Sequence, residues 1–210
     1  MKFYLLKNNN SFKEILKFKI GIIGAGKVGS TIGKKLALKD HEITFGVRDP
    51  KKYQKLLTID KIRVENILEV SQSLDILILT VPGAVAMETI AKMGNLNNKL
   101  ILDVTNMTSM TELMKIAPNA SFVKFLNTVG YNVMENPIFG DIKADAFLSG
   151  NNQQALDIAT LLVTDLDFNP VIVGDSSMAV DLENLAKLWI KLSRKIGRNF
   201  SFKLISRNSE

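Results

Sequence analysis

From Lys19 onward, short continuous apolar runs alternate with stretches in which apolar residues recur every three or four positions. The first run, Lys19-Ile20-Gly21-Ile22-Ile23, stops at Gly24. A helical periodicity then starts at Val28 and continues through Ile32, Leu36 and Leu38 to Asp40-His41. Glu42-Ile43-Thr44-Phe45-Gly46 reads as a second strand, residues 51–57 as a short helix and Ile62-Arg63-Val64 as a third strand. Residues 75–81 form an unbroken apolar run, as expected of a strand buried on both faces of a parallel sheet. A helix over 84–93 follows, then strands over 99–104 and 121–126 that close in Thr105-Asn106 and Asn127-Thr128. The pattern continues with a strand over 145–150, a helix over 153–166 and a last strand over 170–174. A final helical stripe, Leu182, Leu185, Leu188, Trp189, Leu192 and Ile196, ends at Gly197, a suitable C-terminal cap. This alternation predicts an α/β fold with a doubly wound, mostly parallel sheet, extended by a small C-terminal α/β lobe.

The turn after the first strand carries the chemistry. Gly24, Gly26 and Gly29 stand in G-x-G-x-x-G spacing between a strand and a helix, the mark of a Rossmann-type dinucleotide-binding unit. Gly24 lets the chain turn sharply, Gly26 lets a pyrophosphate approach bare backbone, and Gly29 lets the helix lie close to the sheet. The helix N-terminus, beginning at Lys27 and Val28, offers free N–H groups and a positive dipole end to phosphates. An enzyme that uses NAD places a carboxylate at the tip of the second strand for the ribose 2′-OH. Here that tip is Gly46-Val47-Arg48, so a carboxylate is missing and a guanidinium is available for a 2′-phosphate. NADP(H) is therefore the expected cofactor. The ends of the strands, Gly24, Arg48, Val81-Pro82, Asn106 and Asn127-Thr128, should gather around one crevice.

Composition narrows the picture. The 210 residues are 46% hydrophobic and 23% charged, ordinary for a globular protein with a substantial core. A net charge of +6 and a pI near 9.4 raise nucleic acid as a partner. The lysines are scattered, without a dense basic run or an aromatic platform, so none is expected. The chain has no cysteine, which removes disulfides and thiol chemistry and fits a cytoplasmic enzyme. No apolar run reaches the roughly 18–20 residues that cross a bilayer, so no membrane partner is expected. Residues 1–17, with Asn8-Asn9-Asn10 and a weak amphipathic turn of Phe12, Ile15 and Leu16, read as an extension. Residues 18–210 read as one domain.

Candidate acid–base groups are few. His41, the only histidine, is expected at a solvated turn. Lys187 lies on the terminal helix, where its spacing suits either a buried side or a polar edge. Asp103 reads as a cap on the Thr105-Asn106 turn, and Met107 and Met110 as packing residues or parts of an apolar acceptor pocket. Asn127 and Thr128 suit either substrate contact or turn hydrogen bonds. Direct hydride transfer between two bound rings needs no such group.

Several motifs occur in order: Gly24-Ala25-Gly26-Lys27-Val28-Gly29, Gly46-Val47-Arg48-Asp49-Pro50, Thr80-Val81-Pro82, Asp103-Val104-Thr105-Asn106, Lys124-Phe125-Leu126-Asn127-Thr128-Val129-Gly130 and Leu182-Glu183-Asn184-Leu185-Ala186-Lys187-Leu188-Trp189. Together, over about residues 19–205, they resemble the NADPH-dependent oxidoreductases typified by NADP-dependent reductase of coenzyme F420, a deazaflavin, and by the reductase domain of membrane metalloreductases. Val47 stands where that family often has serine, and Asn127 where its deazaflavin enzymes have histidine. The resemblance implies NADPH over the Gly-rich turn with its 2′-phosphate near Arg48. It also implies a flavin-like acceptor against the nicotinamide, with Pro82, Asn106 and Asn127 at the junction. A non-catalytic NADP-binding regulator, or an imine or carbonyl reductase with a subunit-shared pocket, are the other readings. The terminal stripe suits either burial on its own sheet or a homodimer interface.

Overall fold

A computed structural model describes residues 16–207. The amphipathic turn read at Phe12 and Ile15 lies outside the described residues. Leu16 is described and packs against the core.

Six strands with helical crossovers come first: β1 (Lys19–Ile23), α1 (Lys27–Leu38), β2 (Glu42–Val47), β3 (Ile62–Asn66), α2 (Ile67–Ser73), β4 (Ile76–Leu79), α3 (Gly83–Lys92), β5 (Leu100–Asp103), α4 (Met110–Ile116) and β6 (Ser121–Lys124). A short helix α5 (Tyr131–Glu135) and a hairpin of β7 (Ile138–Phe139) and β8 (Ile142–Lys143) lead to β9 (Asp145–Gly150), α6 (Gln153–Asp165), β10 (Asn169–Gly174) and α7 (Ala179–Ile196). The main sheet runs β10-β9-β6-β5-β4-β1-β2-β3. The six strands from β3 to β6 are parallel in the order 3-2-1-4-5-6, the dinucleotide-binding order, whose switch point lies between β1 and β4. β9 joins β6 antiparallel because the connection returns from the same end without a full crossover, and β10 lies parallel to β9. This is the doubly wound, mostly parallel sheet with a C-terminal α/β extension that the sequence predicts.

The continuous apolar runs split their residues between the two faces with period two. Ile20, Ile22, Ile76, Ile78, Leu100 and Leu102 join the core under α1, α5 and α6. Ile23, Leu77, Leu79 and Ile101 join the one under α2, α3, α4 and the start of α7.

Three local expectations change. Leu38 is 80% exposed, because by the last turn of α1 its direction has rotated off the core. The segment 51–57 is part of a 3-10 helix, Pro50–Thr58, interrupted at Tyr53, and only Leu56 in it is buried. His41 is fully buried rather than solvated. Its Nδ1 accepts the Phe18 N–H at 3.1 Å, its Nε2 lies 3.0 Å from Asp165 Oδ2, and its ring stacks on Phe18. These contacts hold together the start of β1, the α1–β2 turn and the end of α6.

Candidate active site

The Gly-rich turn is built as its residues dictate. Gly24 adopts φ +106°, a conformation side chains rarely take. Its N–H donates to the Gly46 carbonyl at 2.9 Å, which fixes the turn to the tip of β2. From the next strand tip, the Thr80 hydroxyl donates to the carbonyls of Ile23 (3.1 Å) and Gly24 (3.0 Å). Gly29 lies so close to this turn that a Cβ would stand 2.2 Å from the Gly24 carbonyl oxygen. At Gly26, the N-cap of α1, a Cβ would meet nothing within 4 Å. No side chain caps α1 and no acidic residue lies in its first turn. The N–H groups of the first turn, from Lys27, Val28 and Gly29, therefore have no helical acceptor. Open space, free donors and a positive helix end make an anion cradle, and the residues present fit a dinucleotide pyrophosphate. Ala25 packs its methyl against the core below. The Lys27 ammonium rests 4.9 Å from the Tyr131 ring centroid, so the start of α5 overhangs the start of α1. Between these helices lies a cleft of about 330 Å³ lined by Lys27, Ser30, Lys34, Tyr131 and Glu135 among others.

Arg48 follows β2 directly, is exposed, and forms no ion pair among the described residues. The nearby Asp49 carboxylate is paired with Lys52 at 3.4 Å. Glu88 on α3 feels the Arg48 charge, but its carboxyl is held below the usual range mainly by Lys92. The guanidinium thus stands free just beyond the tip of β2.

At the other side of the switch point, Val81 is half-buried and Pro82 is the exposed N-cap of α3. Asn106 is half-buried, and its side-chain oxygen is enclosed without a partner. Asn127 is 2% exposed: its amide donates to the Leu182 carbonyl on α7 at 3.0 Å, and its Oδ1 is also unpartnered. Thr128 is buried beside it. Orphaned buried carbonyl oxygens are uncommon, and each calls for a partner that the protein's own groups do not supply here. Met110 is core, whereas Met107 is 78% exposed with φ +65°. Lys187 is exposed and donates to Asn184 Oδ1 at 3.1 Å, which assigns it to the polar edge.

Beneath these tips lies a group the motif reading passed over. The Lys124 ammonium, fully buried at the end of β6, lies 2.9 Å from Asp103 Oδ2, 3.0 Å from the Thr105 carbonyl and 3.5 Å from Glu183 Oε1. Asp103 also accepts from the Thr105 N–H (2.9 Å) and hydroxyl (2.6 Å), so its turn-capping role holds alongside this pair. Its sequence signal is a single lysine in an otherwise apolar strand, and only the fold supplies its partners.

Cradle, free guanidinium and switch-point crevice define the class: a Rossmann-type dinucleotide-binding fold. Residues 19–107 match the model of the family described as NADP oxidoreductase, coenzyme F420-dependent, which agrees with the resemblance carried by the motifs over that segment. Human metalloreductase STEAP2 is 23% identical over 197 residues, 87% of this chain and 38% of the relative. The chain thus spans about two fifths of the length of the curated relative it matches. A crystal structure assigned to an F420-dependent NADP-reductase from Arthrobacter sp. FB24 superposes with a TM-score of 0.81 at 27% identity, over 90% of this chain and 100% of that one. A reductive aminase from Aspergillus terreus in complex with NADPH and ethyl levulinate gives a TM-score of 0.67 at 20% identity, over 86% of this chain and 63% of that one. At that identity the likeness is one of fold.

Proposed function

We propose that the protein passes hydride from NADPH to a planar acceptor of the flavin or deazaflavin kind. The observation that carries this reading is the chemistry of the β5 and β6 tips. Asn106, Asn127 and Thr128 offer hydrogen bonds but cannot supply a proton, and the Lys124 ammonium is enclosed and held by three oxygen partners. Reduction of a carbonyl or imine calls for a positioned proton donor, whereas a planar ring takes hydride and draws its proton from water. NADPH, when bound, supplies the hydride. The chain's residues do the rest: the first turn of α1 neutralises the pyrophosphate and Arg48 holds the 2′-phosphate. Val81 and Pro82 wall the ring, and the orphan oxygens of Asn106 and Asn127 receive amide protons. Exposed Met107 offers the acceptor an apolar, polarisable surface. We also propose pairing with a second copy through α7, on which Val180 and Leu188 are exposed. A monomeric mass in light scattering at micromolar concentration would remove the pairing.

Calorimetry with NADPH and NADH tests the cofactor. NADPH should bind more tightly by roughly ten- to a hundredfold, the worth of a charge-assisted contact. The difference should vanish in Arg48→Gln. A panel of FMN, FAD, a deazaflavin, a ketone and a cyclic imine tests the acceptor. Turnover with a planar ring alone supports the proposal, and turnover confined to the ketone or imine refutes it. Binding without any turnover would favour a regulatory NADP sensor, while indifference to both nucleotides would end the reading altogether.

A further inference from the structure

The cluster under the strand tips has an uneven charge. One ammonium, Lys124, faces two carboxylates, Asp103 and Glu183, and the side chains are 0%, 0% and 12% exposed. A single ion pair would satisfy the lysine. A second enclosed carboxylate adds a desolvation cost that packing alone does not require. Glu183 Oε1 is held there by the Met110 N–H at 2.9 Å. The cluster is joined to both asparagines of the crevice. Thr105, whose carbonyl takes a Lys124 proton, immediately precedes Asn106. Leu182, whose carbonyl takes the Asn127 amide, immediately precedes Glu183.

We propose that the surplus negative charge of this cluster, contributed by Glu183, stabilises the oxidised nicotinamide and so makes bound NADPH a stronger hydride donor. The inference rests on the NADP(H) reading above. When the C4–H bond of the reduced ring breaks, the hydrogen leaves with both bonding electrons to form the new bond on the acceptor. A neutral dihydropyridine thereby becomes a pyridinium cation. A buried negative charge attracts the cation and is nearly indifferent to the neutral ring, so it acts on the difference between the two states. One unit charge acting through partly buried protein, at an effective dielectric near 20, shifts the ratio of the two affinities by about tenfold. Glu183 acts here as a positioning residue for charge, without touching the ring.

The test is the ratio of dissociation constants for NADP+ and NADPH. Glu183→Gln keeps an oxygen for the Met110 N–H and removes the charge. It should weaken NADP+ by about tenfold while leaving NADPH within about twofold, and Glu183→Asp should stay close to the parent ratio. Asp103→Asn, which removes the other carboxylate charge, should move the ratio in the same direction. A merely structural role would weaken both nucleotides alike, and an unchanged ratio in a folded Glu183→Gln or Asp103→Asn protein would overturn the proposal. The unaltered protein gives a test independent of variants. Its bound couple should have a midpoint potential below that of free NADP(H), and an equal or higher one overturns the inference. Failure of the parent protein to bind NADPH is a different outcome, because it removes the cofactor reading itself.

Discussion

At Gly26 the backbone, with φ −71° and ψ −170°, is open to ordinary residues, and a side chain would enter empty space. Gly26→Val should leave the melting temperature within about 2 °C of the parent, as for a surface change. It should still cost NADPH at least about tenfold in affinity, because the branched side chain occupies the volume needed by the pyrophosphate. Gly29 behaves in the opposite way. Its Cβ would lie 2.2 Å from the Gly24 carbonyl oxygen and 2.6 Å from Thr80 Oγ1, so Gly29→Ala must push α1 off the sheet. A loss of about 1–3 kcal/mol is expected from denaturant unfolding. Equal effects of the two substitutions on stability would contradict this division between a glycine kept for a ligand and one kept for packing.

At the scale of the element, α7 meets the rest of the chain through Ala179, Leu182, Ala186 and Trp189, which are buried. Leu188 and Ile196, members of the same sequence stripe, are 47% and 62% exposed. The stripe is wider than the contact the helix makes with its own molecule. Trp189 stacks on Phe200 at 5.2 Å and donates to the Phe200 carbonyl at 3.2 Å, which folds the segment after Gly197 back against the helix. On its other side the ring fills the space above Gly130, where a Cβ would stand 2.7 Å from Cη2. Gly130→Ala should displace this ring. The emission of the chain's single tryptophan should move to longer wavelength, with a stability loss of about 1–3 kcal/mol. Unaltered emission would show that the ring does not depend on this contact.

For the whole molecule, buried His41 is a point where acid acts on the fold. Burial pushes its pKa below the ordinary 6.5, outweighing the opposing pull of Asp165. The folded protein therefore takes up this proton less readily than the unfolded chain. The stabilisation this provides is complete above about pH 6.5 and is lost as pH falls from there through the lowered folded value. Protonation would also remove the Nδ1 acceptor from the Phe18 N–H. Denaturant midpoints measured from pH 8 to pH 5 should fall, and less steeply in His41→Gln. Parallel slopes for the two proteins would exclude the histidine as the cause. Among the described residues no helix is long and apolar enough to cross a membrane.

The sheet and its nucleotide turn were legible in the chain itself, because both depend on local rules. Strands buried on two faces need unbroken apolar runs, and the turn needs glycine where φ is positive or a helix comes close. The position of Arg48 was legible for the same reason, since its place is counted from the end of β2, whereas only the packing shows that it has no ion pair among the described residues. The brief helices α2, α4 and α5, of seven, seven and five residues, left too little periodicity to be read. The environments of His41 and Lys124 are not legible in the sequence, because their partners lie far away along the chain. Asp165 is 124 residues from His41, and Glu183 is 59 residues beyond Lys124. A polar residue's local neighbours say whether it could reach water, but only the completed packing decides whether it does. That is why tertiary structure alone revealed the buried ion cluster beneath the crevice.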